Sequence, residues 1–264
     1  DLGESNGGSE DVFVMKLNSL GELQWITQLG SDSSNDNSLT IGSTEKDYCH
    51  GVAVDSSGNV FCAGETQSNL GETNGGSVDA FVMKLNSSGE LQWITQLGSD
   101  SSNDNSLTID STKEDGCNGV TVDSSGNVFC GGYTNGDLGE TNGGEFDAFL
   151  MKIDPSGELQ WITQLGSDSS NDNSLTIDST KSDYCKGVAV DSSGNVFCGG
   201  ETEGNLGETN GGDNDAFVIK LNSSGVAQWI TQLGSDSSND NSLTIDSTKD
   251  DSCNGVAVDS SENV

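Results

Sequence analysis

Residues 119–132 read GVTVDSSGNVFCGG and predict a β-hairpin. Valine and threonine alternate before residue 123 and an apolar run follows residue 127, which is the pattern of two short strands. Between them lie Gly126 and Asn127, residue types that accept the positive φ of a tight turn. We therefore expect two antiparallel strands, at residues 119–123 and 128–132.

A second hairpin follows in the same unit. Residues 147–153 (DAFLMKI) are mostly apolar, and the turn at 154–157 (DPSG) has a proline that presets φ at its second position. Residues 158–165 (ELQWITQL) form a fourth predicted strand, which we expect to be packed on both faces. Two consecutive hairpins make a four-stranded antiparallel meander.

The whole pattern recurs every 68 residues. The segment QLGSDSSNDNSLTI is identical in four copies, which start at Gln28, Gln96, Gln164 and Gln232. A small sheet cannot bury both of its faces alone, so the units must stack against one another. The predicted fold is all-β, with tandem four-stranded antiparallel sheets. The expected units are residues 48–115, 116–183 and 184–251, flanked by partial units at 1–47 and 252–264. The copies differ at residues 65–69, 133–137 and 201–205, which we expect to be exposed loops.

Two motifs resemble a known family. Residues 187–196 (GVAVDSSGNV) and 215–225 (DAFVIKLNSSG), followed by Trp229, are similar to the signature of the bacterial seven-bladed β-propeller repeat family. The resemblance implies four-stranded blades around an axis, in secreted or surface-anchored proteins, and it carries over no catalytic residue. The unit is enlarged by an insert at residues 105–112, in which residues 107–109 (LTI) have the composition of an added edge strand.

The sequence begins and ends inside a unit. It opens at the third predicted strand and stops where a second strand would start. We therefore expect a window from a longer array, with an open or fibrous arrangement of blades as the alternative to a closed ring.

The charge excludes several classes of partner. Forty-three acidic residues face nine basic ones, which gives a formal net charge of −34. Phosphate backbones and anionic membranes are repelled by such a surface, so we expect no nucleic acid as a partner. Membrane insertion is not expected either, since no apolar run approaches the roughly 20 residues of a membrane span. Screening by salt or bound calcium would reduce the self-repulsion.

Seven cysteines predict disulfides. They recur 13 residues apart on one hairpin, a spacing that does not fit a zinc site. One pairing joins each pair within its hairpin and leaves Cys253 single; the other joins successive units and leaves Cys49 single. The within-hairpin pairing is favoured because adjacent strands bring Cα atoms to about 5.5 Å. The cysteines are Cys49, Cys62, Cys117, Cys130, Cys185, Cys198 and Cys253.

The Asp/Asn/Ser run is a candidate calcium site. Calcium takes hard oxygen ligands of the kind that this run supplies, although the spacing lacks the D-x-D-x-D-G loop. The alternative is a solvated polar turn with local side-chain hydrogen bonds. The candidate ligands in one copy are Asp100, Asn103, Asp104 and Asn105.

No catalytic residue is predicted. His50 is the only histidine, and Asn118, Lys186 and Asn254 occupy its position in the other copies. A required base or nucleophile partner would not be exchanged in this way. A tryptophan in a regular strand is usually a core residue, which is what we expect for Trp25, Trp93, Trp161 and Trp229. The lysine in the third strand of each unit should pair with a carboxylate of an adjacent strand.

These features predict an extracellular or cell-surface structural or adhesive protein that is not an enzyme. Its expected partners are copies of itself or neighbouring repeats, with glycans or other surface proteins as further candidates. The alternative is a glycan- or calcium-binding β-propeller module. No cofactor is expected apart from calcium in that alternative.

Overall fold

The computed structural model describes residues 9–30, 45–99, 112–167, 181–208, 210–234 and 250–264. The regular elements within these ranges are β-strands. Their bounds are β1 (Val12–Leu17), β2 (Leu23–Leu29), β3 (Asp47–Val54), β4 (Val60–Thr66), β5 (Asp79–Leu85), β6 (Leu91–Leu97), β7 (Asp115–Val122), β8 (Val128–Thr134), β9 (Asp147–Ile153), β10 (Leu159–Leu165), β11 (Asp183–Val190), β12 (Val196–Thr202), β13 (Asp215–Leu221) and β14 (Ala227–Leu233).

The strands form three four-stranded sheets and one two-stranded sheet. The first blade contains β3–β6, the second β7–β10 and the third β11–β14, while β1 pairs only with β2. Every pair is antiparallel and every blade keeps its strands in chain order. The predicted all-β fold of tandem four-stranded meanders is therefore confirmed.

The predicted hairpin turn of the second blade forms as expected. Gly126 has φ +83°, and its amide donates to the carbonyl of Asp123 at 3.1 Å. One carboxylate oxygen of Asp123 accepts the amides of Ser125 and Asn127. These local bonds satisfy the backbone of the turn without any contact from elsewhere.

Strand bounds differ from the prediction mainly at the first strand. The predicted third strand, residues 147–153, matches β9, but β7 begins at Asp115 rather than at residue 119. This extension could not be predicted, because Asp115 and Gly116 lack the apolar pattern of a strand. The second strand likewise continues to Thr134, which is fully buried although residues 133–137 were expected to be an exposed loop.

The core lies on the second and third strands of each blade. Their phenylalanines, such as Phe129 and Phe149, are completely buried. First strands pack against the neighbouring blade: β7 contacts β3, β4 and β5, and β11 contacts β7, β8 and β9. The fourth strand is outermost, so Leu91 and Leu159 at its start are exposed. The expectation that this strand is packed on both faces is therefore wrong for its first half.

Some predictions concern residues outside the described ranges. These are the calcium ligands Asp100, Asn103, Asp104 and Asn105, and the added edge strand at residues 107–109. Within the described ranges, no helix has the length and hydropathy that crossing a bilayer requires.

Candidate functional site

A disulfide joins the first and second strands in each of the three blades. The bonded pairs are Cys49–Cys62, Cys117–Cys130 and Cys185–Cys198, with Cα atoms 5.9, 6.0 and 5.9 Å apart. A register irregularity after the first cysteine of each pair offsets the strands, because Cys117 opposes Gly132 while Cys130 opposes Val120. The structure thus contains the within-hairpin pairing, and Cys253 is a free thiol.

Successive units meet at a joint built around a tryptophan of the fourth strand. The indole N–H of Trp93 donates to the carbonyl of Pro155, 62 residues further along the chain, at 3.1 Å. The hydroxyl of Thr95 donates to the carbonyl of Gly157 at 2.7 Å. The same two bonds recur between Trp25 and Ser87, Thr27 and Gly89, Trp161 and Ser223, and Thr163 and Gly225. We call each such arrangement a blade joint.

The receiving turn of each joint requires glycine for two reasons. Gly157 has φ +96°, a conformation that other L-residues rarely adopt. A Cβ atom at this position would also lie 3.0 Å from the ring of Trp93. Gly89 and Gly225 meet Trp25 and Trp161 in the same way, at 2.7 and 2.8 Å. The tryptophan therefore packs on a surface that only glycine leaves free.

The tryptophans are joint residues rather than interior core residues. Trp25, Trp93 and Trp161 are half-buried at the edge of the core clusters. Trp229 is 41% exposed, because no described turn follows the third blade to cover it. The expectation that all four are core residues is corrected accordingly.

The third-strand lysines share a contact with an aromatic ring. The Nζ atoms of Lys84, Lys152 and Lys220 lie 5.5, 5.6 and 5.1 Å from phenylalanine centroids of the adjacent second strand, in cation–π contacts. Lys220 also lies 3.9 Å from a carboxylate oxygen of Asp191, which follows the first strand. That strand does not neighbour the third strand, so this ion pair is not the predicted pairing with an adjacent strand.

Two buried carboxyl groups lie between successive units, at the end of the blade away from the joint. Asp115 and Asp183 begin first strands, are fully buried, and accept the amides of Ser99 and Ser167 from the preceding unit at 2.6 Å. Burial raises the pKa of Asp115 to about 6 and that of Asp183 to about 7. The carboxylates of Asp79 and Asp147 add to these increases. Because a buried charge is costly, burial shifts both groups towards the protonated form.

The partner carboxylates at the start of the third strands are also buried. Asp147 accepts the side-chain amide of Gln164 at 2.9 Å and the backbone amide of Gly143 at 3.0 Å. Burial nevertheless raises the pKa of both Asp79 and Asp147. This network could not be predicted, since an aspartate at a strand end resembles any polar turn residue.

A second region, the aromatic cluster, lies at the opposite end of the first hairpin from its turn. It consists of Tyr133, Phe146 and Tyr184, whose ring centroids are 5.6 to 5.8 Å apart. The hydroxyl of Tyr133 donates to a carboxylate oxygen of Glu65 in the preceding blade, at 2.6 Å. Glu65 also lies 3.5 Å from the imidazole of His50, which is on the surface as expected. Comparing the copies position by position would have singled out this cluster.

Solved structures that are similar to this chain include the following three. A protein of unknown function from Bacteroides caccae is 11% identical, with a TM-score of 0.38, over 81% of this chain and 52% of that one. A Hadza microbial sialidase is 12% identical, with a TM-score of 0.45, over 79% and 43%. A periplasmic gluconolactonase of Pseudomonas aeruginosa is 12% identical, with a TM-score of 0.40, over 85% and 55%.

The chain spans about half the length of these structures, and similarities of this size say nothing about its activity. No curated protein matches the chain.

The beta-propeller repeat family matches residues 24–72, 92–140 and 160–208. Each segment begins in a fourth strand, passes through the joint and the first hairpin, and ends before the next third strand. The number of blades in a complete assembly and the enlarged 68-residue unit stay predictions. The matched segments make up more than half of the sequence, and the chain belongs to the beta-propeller repeat family.

Proposed function

We propose that the chain is an extracellular structural repeat protein with an adhesive role, in which disulfide-stapled blades form a rigid scaffold. The observation that carries this proposal is the recurrence of one joint three times, with the same donors and acceptors. An array that grows by repetition needs an interface that every unit can both offer and receive. The joint has this property, since each unit provides a tryptophan and a glycine turn.

The extracellular location rests on the disulfides. Three pairs are bonded within the described blades, and such bonds persist mainly in oxidising compartments. A thin four-stranded blade gains stability from a covalent link between its first two strands. A reducing cytosol would remove that contribution.

The accessibility of the titratable groups favours a non-catalytic role. Asp115 and Asp183 have the strongly raised pKa values that acid–base catalysis uses, yet both are completely buried between successive units. A substrate could not reach either carboxyl without the blades separating. In the part of the chain that the structure describes, no three His, Cys, Asp or Glu side chains are grouped to hold a metal ion.

Limited proteolysis and electron microscopy of the purified chain test this proposal. We expect the oxidised chain to resist protease and the reduced chain to be digested faster, because reduction releases the first strand of each blade. Micrographs should show an open series or a fibre with a regular spacing. Equal digestion of both forms would contradict the stapled scaffold, and a small closed ring would contradict the open array. Sialidase or gluconolactonase activity would contradict the non-catalytic role.

Calcium binding is a second candidate function. It is supported by the net charge of −34 and by four identical Asp/Asn/Ser runs. Calcium should raise the melting temperature more than magnesium at equal ionic strength, because screening alone does not distinguish the two ions. A control chain with alanine at Asp36, Asp104, Asp172 and Asp240 should lose the difference. Equal effects of both ions on the original chain would exclude the site.

A further inference from the structure

The four copies differ in chemical character at several positions. One position precedes the third strand and is occupied by Glu10, Val78, Phe146 and Asn214. Others lie near the start of the first strand, as with Tyr48, Gly116, Tyr184 and Ser252, and at the end of the second strand, as with Glu65, Tyr133 and Glu201. Other positions also change, such as Leu20 and Val226, whereas the exposed Gln92 is identical in all four copies. Exposure alone therefore does not explain where the copies differ.

The fold brings these separated positions together. Gly116 pairs with Tyr133, and Tyr184 pairs with Glu201, across the first two strands. Phe146 forms a parallel bridge with Ser182, just before the first strand of the next blade. The varied positions therefore lie at one end of the blades, which we call the variable rim. The first-hairpin turn at the other end has the sequence DSSGN in all three blades.

The variable rim is continuous from one blade to the next. Tyr133 and Phe146 belong to the second blade and Tyr184 to the third, and their rings contact one another edge to face or tilted. Tyr133 reaches back to Glu65 of the first blade. All three rings are only partly buried. Together they form an aromatic surface that a single partner could contact from more than one blade.

Carboxylates surround this aromatic surface. Burial raises the pKa of Tyr184, and the charges of Glu203, Glu145 and Glu201 raise it further. Burial also raises the pKa of Glu203, while Lys181 opposes that effect. Three lysines neighbour the surface: Lys113 donates to the carbonyl of Asn135 at 2.9 Å, Lys181 lies near Glu203, and Lys186 is paired with Glu201 at 2.6 Å.

The remaining carboxylates outnumber the remaining lysines. Burial raises the pKa of Tyr133, and the charges of Glu65 and Glu114 raise it further, so Glu114 joins Glu145 and Glu203 at this surface. Lys113 and Lys181 oppose these three carboxylates. The rim therefore combines aromatic faces with an excess of negative charge, on a chain that contains no arginine.

We propose that the variable rim around Tyr133, Phe146 and Tyr184 binds a lysine- or arginine-rich segment of a partner protein. Cationic side chains gain from aromatic faces and from nearby carboxylates at once, whereas anionic partners are repelled. The inference rests on the proposed adhesive role, for which it supplies the surface and the chemistry of the partner. Residue differences between copies would then change which partner segment each rim binds, while the blade joints stay constant.

Binding of short fluorescent peptides to the full oxidised chain tests this proposal. The probe is a ten-residue alternating Lys-Gly peptide, compared with an alternating Glu-Gly peptide and a neutral glucose oligosaccharide. The test variants borrow residues that other copies already have at the same positions, so the frame is expected to tolerate them. One combines Phe146→Val with Tyr184→Ser; the other combines Glu145→Ser with Glu203→Gln.

Each rim variant should weaken binding of the Lys-Gly peptide by about tenfold. The control combines Glu90→Val with Glu158→Val, which removes two charges at the turn end of the blades and also has a precedent in Val226. It should change the affinity by less than about twofold. Equal losses in rim and control variants, preferential binding of the oligosaccharide, or no binding of the Lys-Gly peptide would overturn the proposal. Protease resistance of the same samples reports separately on the scaffold.

Discussion

The two ends of each blade follow different rules. At the turn end, a tryptophan, a threonine and a glycine make the same joint three times with hydrogen bonds between 2.6 and 3.2 Å. At the other end, the positions near the start of the first strand and the end of the second strand hold tyrosine, glutamate, glycine or serine in different copies. Units also meet at this end, through backbone bonds such as that from the amide of Asp183 to the carbonyl of Phe146 at 2.7 Å, but such bonds do not depend on side-chain type. The blade joint and the proposed binding surface of the rim therefore lie at opposite ends of the blade.

The largest expected effect is the loss of a joint tryptophan. Trp93→Ala should lower the free energy of unfolding by about 2 kcal/mol or more, because it removes a half-buried ring and its hydrogen bond to Pro155. Trp229→Ala is the matched control. Because that ring is 41% exposed, its loss should lower the free energy of unfolding by about 1 kcal/mol or less. Urea denaturation of both variants measures the difference. Equal losses would mean that the joint contributes nothing beyond the blade itself.

A smaller effect is expected at the glycine that receives the ring. Gly157→Ala should cost about 1–3 kcal/mol more than Gly126→Ala in the same blade. Both residues have positive φ, so both variants carry the same backbone penalty. Only at Gly157 does the added methyl meet a tryptophan ring, whereas at Gly126 the nearest atom is 3.5 Å away. Identical melting temperatures of the two variants would show that packing of the tryptophan ring against Gly157 does not stabilise the joint.

The buried carboxyls should make stability depend on pH. Asp115 and Asp183 have pKa values raised from 3.8 to about 6 and about 7, so the folded chain binds more protons than the unfolded chain in between. Their contribution is fully present below pH 3.8 and is lost as the pH rises through about 7. Melting temperatures should therefore fall between pH 5 and pH 8. Relief of the general negative charge at low pH acts in the same direction.

Asp183→Asn separates these two effects. It changes the net charge by only one unit, yet it should make the fall between pH 5 and pH 8 distinctly shallower, because the amide cannot ionise. An equal fall in melting temperature in the Asp183→Asn variant would show that overall charge alone causes the pH dependence.

The smallest effect is expected at the variable rim. Lys186→Asn introduces the residue found at Asn118 and Asn254, and it should cost about 1 kcal/mol or less. The ion pair with Glu201 is partly exposed, which limits its contribution. Thermal denaturation that shows a loss as large as that of Trp93→Ala would contradict the division between the two ends.

The sequence predicted the elements better than the contacts between them. Residues 123–127 and 154–157 specify their turns locally, so the hairpins followed from residue type. The partner of Trp93 could not be predicted, because it is a backbone carbonyl 62 residues away and no side chain marks it. The burial of Asp115 was missed for a related reason: its strand begins with residues that have no apolar pattern. Tyr133 was assigned to an exposed loop because copies differ there, although the strand continues through it.

A double-mutant cycle between Trp93→Ala and Gly157→Ala tests the blade joint most directly. If the ring packs against the glycine, the methyl group of Gly157→Ala is harmful only while the ring is present. The cost of Gly157→Ala should then be smaller in the Trp93→Ala chain by about 1–3 kcal/mol. Costs that simply add would show that the two residues do not interact, and the account of how the blades are joined would be wrong.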